Sequence, residues 1–156
     1  MEIGIIGLGY VGLIKCIGLS ALGNTVYGFD LTTLIDSLFN NNHASGNYEH
    51  GVRANNSNNN VISHNYFGNN GLSEDNTYSN VYLEADNSYN NIQSNTGRSS
   101  VSPDNRPKYS VDVVDATSVK NVICNNDLTD TVNAYGTGVL HNSGTGTVTT
   151  SANRVS

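Results

Sequence analysis

From about residue 51 to residue 155 the apolar positions come in short alternating runs separated by Asn- and Gly-rich turns, and one two-part phrase recurs four times. Its first half reads Gly51-Val52-Arg53-Ala54, Asn80-Val81-Tyr82-Leu83, Ser110-Val111-Asp112-Val113 and Gly138-Val139-Leu140-His141. Its second half is an apolar residue or Thr followed three positions later by Asn: Ile62 and Asn65, Ile92 and Asn95, Ile123 and Asn126, Thr150 and Asn153. The leading Val recurs after 29, 30 and 28 residues (52, 81, 111, 139) and the Asn after 30, 31 and 27 (65, 95, 126, 153). Short β-prone runs at such a period, with no helical periodicity between them, predict a solenoid in which each repeat is one coil.

Alternation along a strand sends neighbouring side chains to opposite faces, and stacked coils lie about 4.8 Å apart. With Val52, Val81, Val111 and Val139 inward, Ala54, Leu83, Val113 and His141 point inward too. The outward stripes are then Arg53, Tyr82, Asp112 and Leu140, and beside them Asn55, Glu84, Val114 and Asn142. Arg53, Tyr82, Glu84 and Asp112 thus form a cluster of one cation, one aromatic ring and two carboxylates, the substrate-binding candidates. Paired carboxylates can act as acid and base on a glycosidic bond or hold a Ca²⁺ that bridges an acidic sugar, and a ring beside them can stack on a saccharide. The plainer reading is a set of solvated surface charges. His43, His50, His64 and His141 show no metal-ligand spacing, so no metal site is expected. Neither a Ser/His/Asp nor a Cys/His arrangement is legible along the chain.

The repeat phrases, together with "NVISHNYFGNNG" and "NVICNNDL", resemble the right-handed parallel β-helix coils of pectate-lyase-like proteins and phage tailspikes. The resemblance implies a mainly β fold and contact with polysaccharide. The expected function is a carbohydrate-binding β-helix module of a surface or tailspike-type protein, without complete catalytic machinery. The alternative is a polysaccharide lyase, hydrolase or epimerase that uses the surface carboxylates. By the same resemblance, a homotrimer and a virion or cell-surface setting are implied.

The amino-terminal part follows a different pattern. Residues 2 to 7 read as a buried strand, Gly7-Leu8-Gly9-Tyr10-Val11-Gly12 follows, and a helical segment runs from about Val11 to Leu22. Thr25 to Phe29 reads as a second strand, closed by Asp30, 18 positions beyond Gly12. This is a dinucleotide-binding fingerprint: Gly7 permits the tight turn, Gly9 the approach of a pyrophosphate, Gly12 close helix–strand packing, and Asp30 accepts from ribose hydroxyls. The stretch resembles the amino terminus of UDP-glucose/GDP-mannose dehydrogenases, which implies NAD and a third reading, a fragment of such an enzyme. The match covers only about Met1 to Leu31, no further βα units follow, and nothing matches the catalytic Cys and Lys motifs. A lone β-α-β piece lacks the second half of the crevice, so no cofactor is expected, and NAD only if this motif functions by itself. Its apolar residues would instead close the open end of the β-helix.

The predicted architecture is therefore mainly β: a truncated, Rossmann-like β-α-β fragment over residues 1–33, then a short right-handed parallel β-helix of about four coils over 34–156. Composition sharpens this. Of 156 residues only 37% are hydrophobic and 13% charged, too few for a large globular core or a polyelectrolyte tail. Asn supplies 26 residues, 25 of them from Asn40 onward, and amides stacked in register can order such a chain. A formal charge of −6 argues against nucleic acid as a partner. The apolar run Ile3 to Ile14 lacks a basic leading segment and is too short to span a bilayer, so neither a signal peptide nor a membrane partner is expected. Cys16 and Cys124 lie in unlike segments and read as free thiols.

Overall fold

The computed structural model describes residues 28–99, 106–128 and 135–155. Among them there is no helix, and every strand pairing is parallel. Each coil contributes one short strand to each of up to three sheets. The first sheet stacks β1 (Phe29–Asp30), β4 (Val52–Ala54), β7 (Val81–Leu83), β10 (Val111–Val113) and β12 (Leu140–Asn142) in that order. The second stacks β2 (Leu38–Asn40), β5 (Val61–Ser63), β8 (Asn91–Gln93), β11 (Val122–Cys124) and β13 (Val148–Thr149). The third holds β3 (His43–Ser45), β6 (Tyr66–Gly68) and β9 (Thr96–Arg98), and is prolonged by single bridges from Thr96 to Asp127 and from Asp127 to Arg154. The fold is a parallel β-solenoid of five successive windings among the described residues, one more than the four phrases indicate. The extra winding comes from residues 29–45, where the repeat phrase is too degenerate to read.

The interior follows from alternation. Val52, Val81 and Val111 lie in register, as do Ala54, Leu83 and Val113, and Phe39, Ile62, Ile92 and Ile123. All ten are at most 2% exposed, and fully burying side chains of the Val, Leu, Ile and Phe class contributes about 1.5–3 kcal/mol each. In the third sheet Ala44, Phe67 and Gly97 form the inward column. Gly97 leaves room for the next coil: a Cβ there would lie 2.0 Å from Ser110 Oγ and 3.0 Å from Leu128 Cδ2.

The strands are only two or three residues long because the backbone turns at left-handed residues between them. Thr33, Asn56 and Asp86 occupy one corner, Asp36, Asn59, Tyr89 and Lys120 the second, and Asn41, His64, Ser94 and Asn125 the third, all with φ between 49° and 63°. That conformation costs an L-residue roughly 1–2 kcal/mol, least for Asn and Asp. What offsets the cost sits one position later. After the third corner come Asn42, Asn65, Asn95, Asn126 and, in the last coil, Asn153, each using its side-chain oxygen or amide to bond the Asn of the adjacent coil. Asn95 Oδ1, for example, accepts from the backbone N–H of Asn65 at 3.0 Å and from its Nδ2 at 3.0 Å, while Asn95 Nδ2 donates to Ile62 O at 2.8 Å. Asn126 repeats this toward Asn95, and Asn153 toward Asn126. The expected column of Asn65, Asn95 and Asn126 is therefore present.

A second column, not anticipated from the repeat phrase, follows the second corner. Asn60, Asn90 and Asn121 bond one another in the same way, with Asn60 receiving the Ser37 N–H above and Thr147 Oγ1 receiving the Asn121 N–H below. Its signal was the Asn directly before Val61, Asn91 and Val122, with the same period. Ser57, Asn87 and Ser118 form a shorter row at the first corner.

The segments between the third and first sheets stack as well. Asn76 N–H donates to Arg106 O, Lys108 N–H to Tyr78 O, and Gly136 N–H to Pro107 O, and Arg106 reaches Asp75 through Nη2 at 3.1 Å. These loops deliver Tyr78, Ser79 and Tyr109 to the edge of the first sheet.

The Gly7, Gly9 and Gly12 motif and the helical segment lie outside the described residues. Phe29 and Asp30, read as the end of the second Rossmann-type strand, pair with Val52 and Arg53 and so belong to the solenoid's first winding.

Candidate functional site

The outward face of the first sheet carries one residue from each coil in a single line: Asp30, Arg53, Tyr82, Asp112 and His141 are successive register partners. No two neighbours in it are of the same type. Its upper half is an ion network. Arg53 donates to Glu84 Oε2 through Nε at 3.0 Å and Nη2 at 2.5 Å, and to Asp30 Oδ2 through Nη1 at 3.2 Å. The hydrogen bond to Glu84 raises the Arg53 pKa further above its already high value.

Beside the network stands an aromatic group. The His50 ring stacks on Tyr82 with centroids 4.0 Å apart and planes 16° from parallel, and meets Tyr78 edge-on at 5.1 Å. His50 Nδ1 accepts the Ser79 N–H at 3.0 Å, so the proton of the neutral ring is on Nε2. Burial lowers the His50 pKa from its ordinary 6.5 to about 4, with the nearby Arg53 charge acting in the same direction and the Glu84 carboxylate opposing it. Tyr82 is raised, first by burial and then by the Glu84 and Asp112 carboxylates. A cleft of about 110 Å³ opens here, lined by Gly28, Phe29, Asp30, Glu49, His50 and Arg53.

The lower half departs from expectation. Asp112 is not a solvated charge: it is 1% exposed. Its Oδ2 accepts from Ser79 Oγ at 3.2 Å, and its Oδ1 lies 2.7 Å from His141 Nδ1. His141 is not inward. Leu140, rather than Val139, pairs with Val111, which puts His141 opposite Asp112 and Asn142 opposite Val113. Because side chains alternate with period two, this one-residue shift exchanges inner and outer faces throughout the strand. The Tyr109 ring stacks on His141 at 5.2 Å and 20°, and His141 Nε2 lies 3.1 Å from Ser143 Oγ. A Ser, a His and an Asp are thus joined in series, which the sequence reading missed because it placed His141 in the core. The last coil's second phrase is shifted likewise: Thr149, not Thr150, pairs with Ile123.

Arg53, Tyr82 and Glu84 are therefore brought together as one surface, while Asp112 lies on the same line but beneath it. Asp30, proposed as a ribose acceptor, is an ion partner of Arg53 and also accepts from Thr32. No group of three or more metal-ligating side chains occurs among the described residues, nor any helix long and apolar enough to cross a membrane. Cys124 is a half-buried free thiol. Comparison of the chain with protein-family models, with curated proteins and with solved structures gave no match.

Proposed function

We propose that the protein is a carbohydrate-binding β-helix module of the surface or tailspike type, and that an oligosaccharide lies along the first sheet between the Tyr82 and His50 rings and the Arg53 network. The observation that carries this reading is the joining of a flat aromatic pair to fixed carboxylates and a guanidinium on one exposed sheet. Ring faces suit the apolar side of a pyranose, and the charged oxygens and N–H groups suit its hydroxyls. The cleft of about 110 Å³ is well below the roughly 300–1,000 Å³ of an enclosing small-molecule pocket. An extended ligand lying across the face fits it better than an engulfed one. Arg53 is already neutralised by Asp30 and Glu84 and the chain is acidic, so neutral or amino sugars are favoured over polyuronides.

Titration of the protein against a panel of neutral, amino and acidic oligosaccharides, read by calorimetry, tests the reading. Tyr82→Ala is expected to weaken binding of the best ligand about tenfold, which corresponds to 1.4 kcal/mol, with Arg53→Ala close behind. Equal affinity of the Tyr82→Ala protein, or no binding across the panel, would exclude it.

A further inference from the structure

The lower half of the same face holds a second assembly that glycan binding does not use, and it is laid out as a proton relay. A carboxylate can only accept, so Asp112 Oδ1 fixes the proton of the neutral His141 ring on Nδ1 and leaves Nε2 as an acceptor. The atom that meets Nε2 is Ser143 Oγ, at 3.1 Å, on an exposed residue. Behind the ring, Ser79 holds the other oxygen of Asp112, and Tyr109 stacks on the imidazole. The carboxylate is buried, the ring is positioned from two sides, and the hydroxyl is open to solvent. These are the relations by which an ordinary serine becomes a nucleophile.

The solenoid carries its own control. His43 and Ser45 have the same two-residue spacing on another strand, with Nε2 and Oγ 2.9 Å apart. There the ring lies against Tyr66 at 4.5 Å, and among the described residues no carboxylate is hydrogen-bonded to it. The spacing alone is thus a consequence of strand alternation, and Asp112 is what distinguishes the two pairs.

We infer that Asp112, His141 and Ser143 form an esterase site in which Ser143 is acylated by carboxylic esters with small acyl groups. Ser143 Oγ attacks the ester carbonyl carbon while its proton passes to His141 Nε2. The bond from that carbon to the alcohol oxygen breaks, and the departing alkoxide takes the proton from the ring. Water then attacks the acyl-serine, gives a proton to Nε2, and returns Ser143 through the same ring. The products are one alcohol and one carboxylic acid, with no change of oxidation state. Asp112 is a positioning residue, since it acts through the ring. The adjacent backbone donors are engaged: Ser143 N–H on Val113 O and Gly144 N–H on Asn142 Oδ1. Each donor of an oxyanion hole is worth about 10²–10³ in rate. Turnover is therefore expected only with activated esters.

The full chain is treated with a fluorophosphonate probe and mapped by peptide mass spectrometry, and p-nitrophenyl acetate hydrolysis is followed in parallel. The expected result is labelling of Ser143 but not Ser45, abolished in Ser143→Ala. In His141→Gln and Asp112→Asn the acylation rate falls at least tenfold, with KM unchanged and the circular dichroism spectrum retained. Should Asp112→Asn fail to fold, His141→Gln and the Ser143 to Ser45 comparison decide the matter. Equal labelling of the two serines, labelling of neither, or an undiminished rate in His141→Gln would overturn the inference.

Discussion

The corners of the solenoid and the outward face of its first sheet are made by the same backbone, coil upon coil, yet they use the repeat in opposite ways. At the third corner the same residue, Asn, recurs in five windings, because its amide can accept from the coil on one side and donate toward the coil on the other. On the first sheet five successive register partners are Asp, Arg, Tyr, Asp and His. Uniformity is what a column of mutual hydrogen bonds requires. Variety is what a surface requires if neighbouring groups are to form ion pairs, stacks and relays. The difference teaches where to look for chemistry in a stacked fold: at positions that keep the register but abandon the residue type.

The largest expected effect breaks the uniform side. Asn95→Ala removes the acceptor of the buried Asn65 N–H and the donor to Ile62 O together. Stranding buried backbone groups costs about 1–3 kcal/mol each, so a loss on the order of 4 kcal/mol is expected, a large share of the roughly 5–15 kcal/mol that typically holds a domain. Asn42→Ala, at the start of the same column, removes donors to Asn65 Oδ1 and Asn40 O from a part-buried site, and a loss below about 1 kcal/mol is expected. Urea midpoints of the two variants measure the contrast. Equal losses would mean that the column is not a chain of mutual dependence.

The next test probes the varied side through pH. His50 is held near pKa 4 chiefly by burial, against 6.5 in the unfolded chain. Between those values the unfolded state binds a proton that the folded state refuses, so stability rises with pH there. Conversely, it is lost as pH falls from about 6.5 toward 4 and is not lost further by this group below that. The size is on the order of 3 kcal/mol. His50→Gln retains an acceptor for the Ser79 N–H and cannot charge. The difference in stability between the two proteins, followed from pH 7 to pH 4, is expected to shrink over that window. A constant difference would show that His50 is not desolvated against Tyr82.

How much of this was legible in the chain depended on register. The Val and Ile columns and the Asn65, Asn95, Asn126 column were readable because three consecutive coils keep both residue type and spacing. The fourth copy misled. Pairing by residue type chose Val139, giving spacings of 29, 30 and 28, whereas the observed partner Leu140 (positions 52, 81, 111 and 140) gives 29, 30 and 29. Spacing was the better guide, because ladder hydrogen bonds fix the register while an inward site accepts Val or Leu alike. That single residue hid the contact of His141 with Asp112. The burial of Asp112 was not readable at all, since Ser79 and Tyr109 come from loops whose stacking has no repeated signature. The joining of Arg53, Tyr82 and Glu84 was readable, because all three lie within or just beyond strands whose register was correctly read.

The smallest expected effect separates the two positions of a corner. Asn60, Asn90 and Asn121 carry the column, but the residue before each only has to turn the chain, and at Asn59, Tyr89 and Lys120 it does so at φ of 63°, 58° and 54°. The turn therefore tolerates unlike residues while the column does not. Tyr89 is 56% exposed, and its side chain meets the Lys120 ammonium, 3.4 Å from the hydroxyl and 5.4 Å from the ring centre. An exposed cation–π contact is worth about 0.5–1 kcal/mol, and the left-handed conformation costs a bulky side chain more than it costs Asn. Tyr89→Asn exchanges the first for relief of the second, and a net change between zero and a gain of about 0.5 kcal/mol is expected. The same exchange in the opposite sense at the next position, Asn90→Tyr, is expected to unfold the middle coils. Thermal melting of the two variants side by side distinguishes a corner in which adjacent residues hold separate duties from one that depends on both. A loss above about 1 kcal/mol in Tyr89→Asn would show that the exposed ring also holds the corner.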